Sequence, residues 1–285
     1  MTNEIDGLWD FSDAAASELR FREAVASEVG AQRELLRTQL ARALGLQRRF
    51  EEGHSELDLI GEDLVRTHDE LRVRCELERG RLFNSAGDRE AASERFRIAL
   101  DHAGAVGLDA LAVDAAHMLG ISEPGDAGAN WTRQAIEISE ASEDPKARKW
   151  RASLLNNLGW SRFEAGEHAE ALDCFERALD ARREQGDAGA IRIARWCVAR
   201  GLRELGRIDE AMAIQRELEA DYERVGEPSG YVFEELGECH LLLGTPESAR
   251  PYFADAHRVL SADPWLQERE PERIERLKRL GDAGG

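Results

Sequence analysis

The sequence predicts an all-α fold of stacked helix pairs, and three observations predict it. A glycine-centred turn recurs in one phase along the chain. Apolar residues keep helical spacing around each turn, and aromatic residues make up only 6% of the 285 residues, too few for a typical β-sandwich. The expected architecture is a right-handed superhelical solenoid of about six antiparallel helix pairs, with capping helices at both ends.

The turn occurs four times, as Ala86-Gly87-Asp88-Arg89-Glu90-Ala91-Ala92, Ala165-Gly166-Glu167-His168-Ala169-Glu170-Ala171, Leu205-Gly206-Arg207-Ile208-Asp209-Glu210-Ala211 and Leu243-Gly244-Thr245-Pro246-Glu247-Ser248-Ala249. Four residues beyond each final alanine stands Phe96, Phe175, Gln215 or Phe253, and seven beyond stands Ala99, Ala178, Leu218 or Ala256. These share one helical face. Seven residues before each turn glycine stands Gly80, Gly159, Ala199 or Gly237. A small residue on the first helix lets the second approach, and the aromatic fills the space between neighbours. One such pair cannot bury its own apolar face, so neighbouring pairs must stack.

These residues resemble the tetratricopeptide repeat family, whose pattern has a small residue in the first helix, a glycine turn, then alanine, aromatic and alanine in the second. Two further segments fit the phase weakly. Leu40-Ala41 leads to Phe50 and Leu57, with Arg48 in place of the turn glycine and Gly53 in place of the alanine. Ala115-Ala116 leads to Gly128, Trp131 and Ala135, with Glu123 at the turn. Turns at 48, 87, 123, 166, 206 and 244 are 36 to 43 residues apart, longer than the usual repeat of about 34. The repeats are similar in this to those of kinesin light chain.

The expected organisation is a tail over residues 1–11, a half-repeat or capping helix over 12–30, an array over 31–262, and a capping helix with a frayed end over 263–285. Ser12 or Asp13 can cap the first helix, whose Phe21 and Ala24 continue the packing face. Pro264 and Pro271 interrupt the chain near its end, and Ile274, Leu277 and Leu280 line one side of a last helix.

A net charge of −19 speaks against a nucleic-acid or anionic-membrane footprint. Cys75, Cys174, Cys197 and Cys239 have neither disulfide nor zinc spacing. The acidic N-terminus lacks a basic and apolar leader, and no run of 18 apolar residues occurs, so a cytoplasmic location is expected. No cofactor or metal is expected. Motifs for nucleotide phosphates, serine hydrolysis, zinc proteolysis or calcium are missing, and adjacent Cys239 and His240 would point about 100° apart on a helix. Asn130-Trp131-Thr132 matches a glycosylation acceptor only by chance under this reading. The chain is therefore expected not to be an enzyme.

The resemblance implies that the first helices line a concave groove for a peptide or protein partner. Lys149, Asn156, Trp160 and Phe163 fall on one stripe, and Arg192, Trp196, Arg200 and Arg203 on another. Arg74, Arg81 and His117 extend the wall, and Asn157 is by resemblance a contact to peptide backbone. The stretch Arg192 to Glu204 holds four arginines and one glutamate, whereas Asp209 to Asp221 holds five acids and one arginine. An acidic partner segment is the expectation. Three charge-assisted bonds at about 1.5–3 kcal/mol each, less about 2–5 for ordering a peptide, reach only about millimolar affinity, so an apolar anchor on Trp160, Phe163 or Trp196 is needed. Packing of the tryptophans between repeats and a solvated arginine face are the competing readings. The leading expectation is a non-catalytic adaptor, the alternative a self-associating scaffold forming a homodimer, and the third a peptide-sensing regulator.

Overall fold

The computed structural model describes residues 5–123 and 125–282. Among them there is no strand, and no helix is long and apolar enough to cross a membrane. The chain divides into two compact units, Met1–Leu154 and Leu155–Gly285.

In the N-terminal unit, α1 (Ala14–Ser27) packs on α2 (Gly30–Leu46), followed by α3 (Phe50–Asp58), the short α4 (Glu62–Thr67), α5 (Asp69–Ala86), α6 (Arg89–Val106), α7 (Asp109–Ser122), α8 (Gly125–Ala141) and the short α9 (Pro145–Lys149). Asp13 caps α1 by accepting from the Ala16 amide, as the sequence suggested. Residues 5 to 11, expected as a tail, carry a buried Ile5 and the Trp9 indole, which donates to Gln39 Oε1 at 3.3 Å. A hydrophobic cluster of Ile5, Phe21, Leu36, Leu40, Ala43 and Leu44 joins this segment to α1 and α2.

Helix α10 (Arg151–Glu164) leads into the C-terminal unit, built from α11 (His168–Gln185), α12 (Ala188–Glu204), α13 (Ile208–Val225), α14 (Gly230–Leu242), α15 (Pro246–Leu260), α16 (Pro264–Arg269) and α17 (Pro271–Asp282). Its core runs through Phe175, Val198, Leu202, Leu218, Val232 and Leu236. Leu277 of α17 is buried with Phe253, Ala256 and Leu260, and Ile274 and Leu280 pack beside them. That is the expected sealing helix. The helix continues through Gly281 and Asp282; the rest of the expected frayed end, residues 283–285, lies outside the described residues.

The repeat logic acts at the small residues. A Cβ added at Gly80 would lie 2.4 Å from the Phe96 ring, and one at Gly159 would lie 2.5 Å from the Phe175 ring. Both helices therefore require glycine there, because the aromatic occupies the volume a methyl would need. The pair α12–α13 departs from this: Ala199 stands where the other pairs carry glycine, and buried Gln215 replaces the phenylalanine with neither end of its amide bonded to protein.

Turn positions 87, 166, 206 and 244 hold glycine at φ of +71 to +97°, the left-handed region that ends a helix without Cβ strain. At 48 the arginine adopts φ 61°, the one non-glycine residue among those described to do so. The turn expected at Glu123 is displaced. Glu123 is extended at φ −103°, and Gly125 takes the left-handed value of +66°. Gly128 packs closely beside it: a Cβ there would lie 2.3 Å from the Glu123 carbonyl oxygen and 2.7 Å from that of Gly120, so the backbones are in contact.

Candidate functional site

In the C-terminal unit three helices contribute successive rows to one cavity of about 510 Å³. Trp196, Arg200 and Arg203 come from α12 at helical spacing, Tyr231, Glu234, Glu235 and Glu238 from α14, and Arg273 and Arg276 from α17, with Trp160 and Glu270 at the margins. The rows alternate in charge. Glu235, only 1% exposed, accepts from Arg200 Nη1 at 2.6 Å and from Arg203 Nε at 2.8 Å. Glu234 accepts from Arg273 Nε at 3.0 Å, and Glu238 pairs with Arg276. Burial alone would make Arg203 easier to deprotonate, but the Glu235 carboxylate offsets this and raises its pKa overall. The guanidinium stays charged.

Aromatic rings hold the row in place. The Arg200 Cζ lies 5.3 Å from the Phe163 ring, 5.6 Å from that of Trp196 and 6.0 Å from that of Trp160. Such stacking uses the guanidinium faces and leaves its edge for Glu235. Trp160 also sits 5.1 Å from Phe175 and packs on the core, so it serves both the core and the cavity wall. The Trp196 indole donates to the Tyr231 carbonyl at 3.2 Å, which fixes the ring across α14. On the other side of these two residues is a second pocket of about 260 Å³, lined by Ile193, Trp196, Tyr222, Ser229, Tyr231 and Val232. Ile193 is 60% and Tyr231 40% exposed.

The remaining expected residues are dispersed. Arg192 stacks over Tyr222, 4.9 Å from the ring centroid, and its Nε has no protein partner. Asn156 is half-buried and accepts from the Cys197 thiol at 3.5 Å, and burial pushes that thiol up to about 12. Asn157 is exposed and lines neither pocket. Lys149 is exposed at the end of α9.

In the N-terminal unit, Arg74 Nε donates to Glu70 at 2.9 Å. Arg81 Nη2 reaches both oxygens of Asp114 at 2.6 and 2.7 Å, and its Nη1 donates to Glu78 at 2.7 Å. Burial raises the Asp114 carboxyl, but Arg81 more than offsets it, and the net shift is downward. His117 lies 5.3 Å from the Trp150 ring, and burial lowers its imidazole pKa.

The local excess of positive charge along α12 is therefore met within the fold. Arg195 pairs with Asp221 and Glu217, and Glu235 takes Arg200 and Arg203. Arg162 pairs with Glu167 across the turn. Tyr231, Glu235, Arg273 and Arg276 line the cavity but were not singled out in sequence. No local pattern marked them, because the ion-pair partners lie 32 to 39 residues apart. Cys239 is fully buried with its thiol pushed up to about 11, and His240 instead bonds the Thr245 hydroxyl at 3.0 Å and stacks on Tyr252. Neither a thiolate nor a base facing it is formed.

The tetratricopeptide repeat model matches residues 152–184, which span α10 and α11. Among solved structures the chain is similar to the apo form of RapI, at 13% identity and TM-score 0.73 over 98% of this chain and 80% of that one. It is also similar to a signal transduction ATPase (STAND) protein with a tetratricopeptide repeat sensor from Pyrococcus horikoshii, at 13% identity and TM-score 0.71. The match covers 94% of this chain and only 42% of that protein. The apo form of the quorum sensor NprR from B. thuringiensis matches at 14% identity and TM-score 0.54, over 94% of this chain and 83% of that one. No curated protein matches the sequence. At such identities the likeness is one of fold: residues 152–184 match a tetratricopeptide repeat, and the helix pairs with their glycine–phenylalanine packing share the fold of these repeat structures.

Proposed function

We propose that the chain is a non-catalytic protein-interaction module whose C-terminal unit takes a short peptide segment across the Trp196–Tyr231 ridge. The observation that carries this reading is that both residues line the charged cavity and the apolar pocket together. An apolar side chain in the pocket would bury surface worth about 1.5–3 kcal/mol, while backbone amides and polar side chains meet the Arg and Glu rows. Four arginines and four glutamates line the cavity. This balance favours a segment of mixed or neutral charge over the acidic one expected from α12 alone. Among the similar folds, one is a quorum sensor and another holds a tetratricopeptide repeat sensor. Ligand capture is consistent with both, but the proposal rests on this chain's own residues.

The test is selection from a displayed peptide library followed by fluorescence polarisation with wild type, Ile193→Glu and Trp196→Ala. Ile193 is exposed, so its substitution leaves the core intact. Affinity for selected peptides is expected to fall about tenfold or more in both variants, a loss of about 1.4 kcal/mol. Unchanged affinity in folded Ile193→Glu would remove the ridge from consideration. Reversal of Arg200 and Arg203 is unsuited to this purpose, since it would oppose new carboxylates to buried Glu235.

The exposed Ile193 and Tyr231 favour a second reading, in which another copy of the chain covers the pocket. Light scattering separates the two: a dimer of wild type that Ile193→Glu converts to monomer supports self-association.

A further inference from the structure

Arg42 of α2 stands apart from the other arginines that line cavities. It donates no hydrogen bond and forms no ion pair among the described residues, and its recorded contacts are aromatic. Its Cζ lies 5.6 Å from the Trp9 ring and 5.7 Å from the Phe11 ring, which are themselves stacked at 4.7 Å and 3°. A guanidinium stacked on rings keeps its in-plane N–H groups available, and those are the groups that grip a carboxylate in two-point fashion.

Beside it opens a cavity of about 180 Å³, whose lining includes Arg42, Leu46, Arg81, Leu82, Ser85 and Met118. The neighbouring acids do not serve Arg42. Arg81 holds both oxygens of Asp114 and Oε1 of Glu78, whose Oε2 is buried without a partner, and the repulsion from Arg81, followed by burial, lowers the Arg42 pKa despite those acids. Arg42 is thus a half-buried cation in a field that disfavours it, next to an open space walled by Leu46, Leu82 and Met118 together with Glu78, Arg81 and Ser85.

We propose that this cavity is a binding site for an aliphatic monocarboxylate, its carboxylate paired with the Arg42 guanidinium and its alkyl portion against Leu46, Leu82 and Met118. One negative charge suits the site better than two. Glu78 shares the cavity and Asp114 lies just behind Arg81, so the second charge of a phosphate would be repelled at close range. The carboxylate can belong to a free short-chain acid or to the C-terminus of a peptide, which present the same chemistry. The site belongs to the N-terminal unit and is independent of the ridge between Trp196 and Tyr231.

Isothermal titration calorimetry of the full chain tests this with sodium hexanoate and with acetyl-Ala-Leu, whose free carboxylate is replaced in a control by the amide. Binding of one or both acids with dissociation constants on the order of a millimolar or tighter is expected, with the amide at least about tenfold weaker. A stronger response to the dipeptide assigns the site to peptide C-termini, and a stronger response to hexanoate assigns it to free acids. Arg42→Lys keeps the charge but loses the fork and should weaken binding about tenfold. Leu46→Glu, at an exposed position one turn along α2, places a competing carboxylate beside Arg42 and should abolish binding without touching the core. The proposal is overturned by no heat from either acid at about 10 mM. It is equally overturned by equal binding of acid and amide, or by undiminished binding to folded Leu46→Glu.

Discussion

The cavities of the two units are both lined by arginine, yet they differ in what the arginines can do. In the C-terminal unit Arg200, Arg203, Arg273 and Arg276 are each claimed by a glutamate of α14, and the cavity presents a closed, alternating lattice. In the N-terminal unit Arg81 bonds Asp114 and one oxygen of Glu78, and Arg42 hydrogen-bonds neither acid and contacts the Trp9 and Phe11 rings. The lesson concerns availability. Counting charge along one helix marks α12 as the most electropositive element, whereas the cavity-lining Arg42, paired with no acid, lies on α2, where three arginines face one glutamate.

The comparison breaks first at Glu235. Replacing it with alanine leaves Arg200 and Arg203 facing a half-buried space without their acceptor, and the expected cost is about 3–5 kcal/mol in urea unfolding. A loss below about 1 kcal/mol would mean the pair behaves as a solvated surface contact, and the closed lattice would be the wrong description.

Gln215 sharpens the contrast in the opposite direction. Its amide is fully buried without protein partners, where the equivalent positions carry Phe96, Phe175 and Phe253. Gln215→Met should stabilise the protein by about 1–3 kcal/mol, since a desolvated polar group is exchanged for a flexible apolar one. Phenylalanine is the wrong choice there, because this pair carries Ala199 where the phenylalanine-bearing pairs carry glycine. A destabilised methionine variant would point to a polar partner for that amide.

The smallest effect concerns His117, packed near Trp150 and faced by Asp114 and Arg81. Burial holds its folded pKa below the ordinary 6.5, so the unfolded chain binds the proton more readily. Its contribution to stability is complete above pH 6.5 and declines as the pH falls through the folded value. Thermal melts between pH 7.5 and 5.5 should show a downward slope that His117→Gln flattens. An identical slope in the variant would assign the effect to His54 or His240, which burial shifts the same way.

Much of the fold was legible because its determinants are close in sequence. Gly80 and Phe96 are separated by one turn and a fraction of two helices, as are Gly159 and Phe175, so helical periodicity alone places ring against glycine. The weakest repeats were legible in existence and not in detail. Arg48 accepts a left-handed turn without glycine, and the next left-handed turn residue is Gly125 rather than Glu123. Of the site, Trp160 was recognisable on one stripe and Trp196, Arg200 and Arg203 on another, and the structure brings them to one cavity. Their electrostatic state was not readable, since the decisive carboxylate of Glu235 sits 32 to 35 residues away on another helix.

By itself the sequence determined that this chain forms helix pairs, where the turns fall to within about two residues, and which faces pack. These depend on local spacing, which a linear pattern records directly. Only the tertiary structure decided which charges are satisfied, that Trp196 and Tyr231 divide two cavities, and that Arg42 stands without an acid. Coulomb attraction and hydrogen bonding act over a few ångströms between side chains, so their outcome is set by which helices become neighbours and in what register.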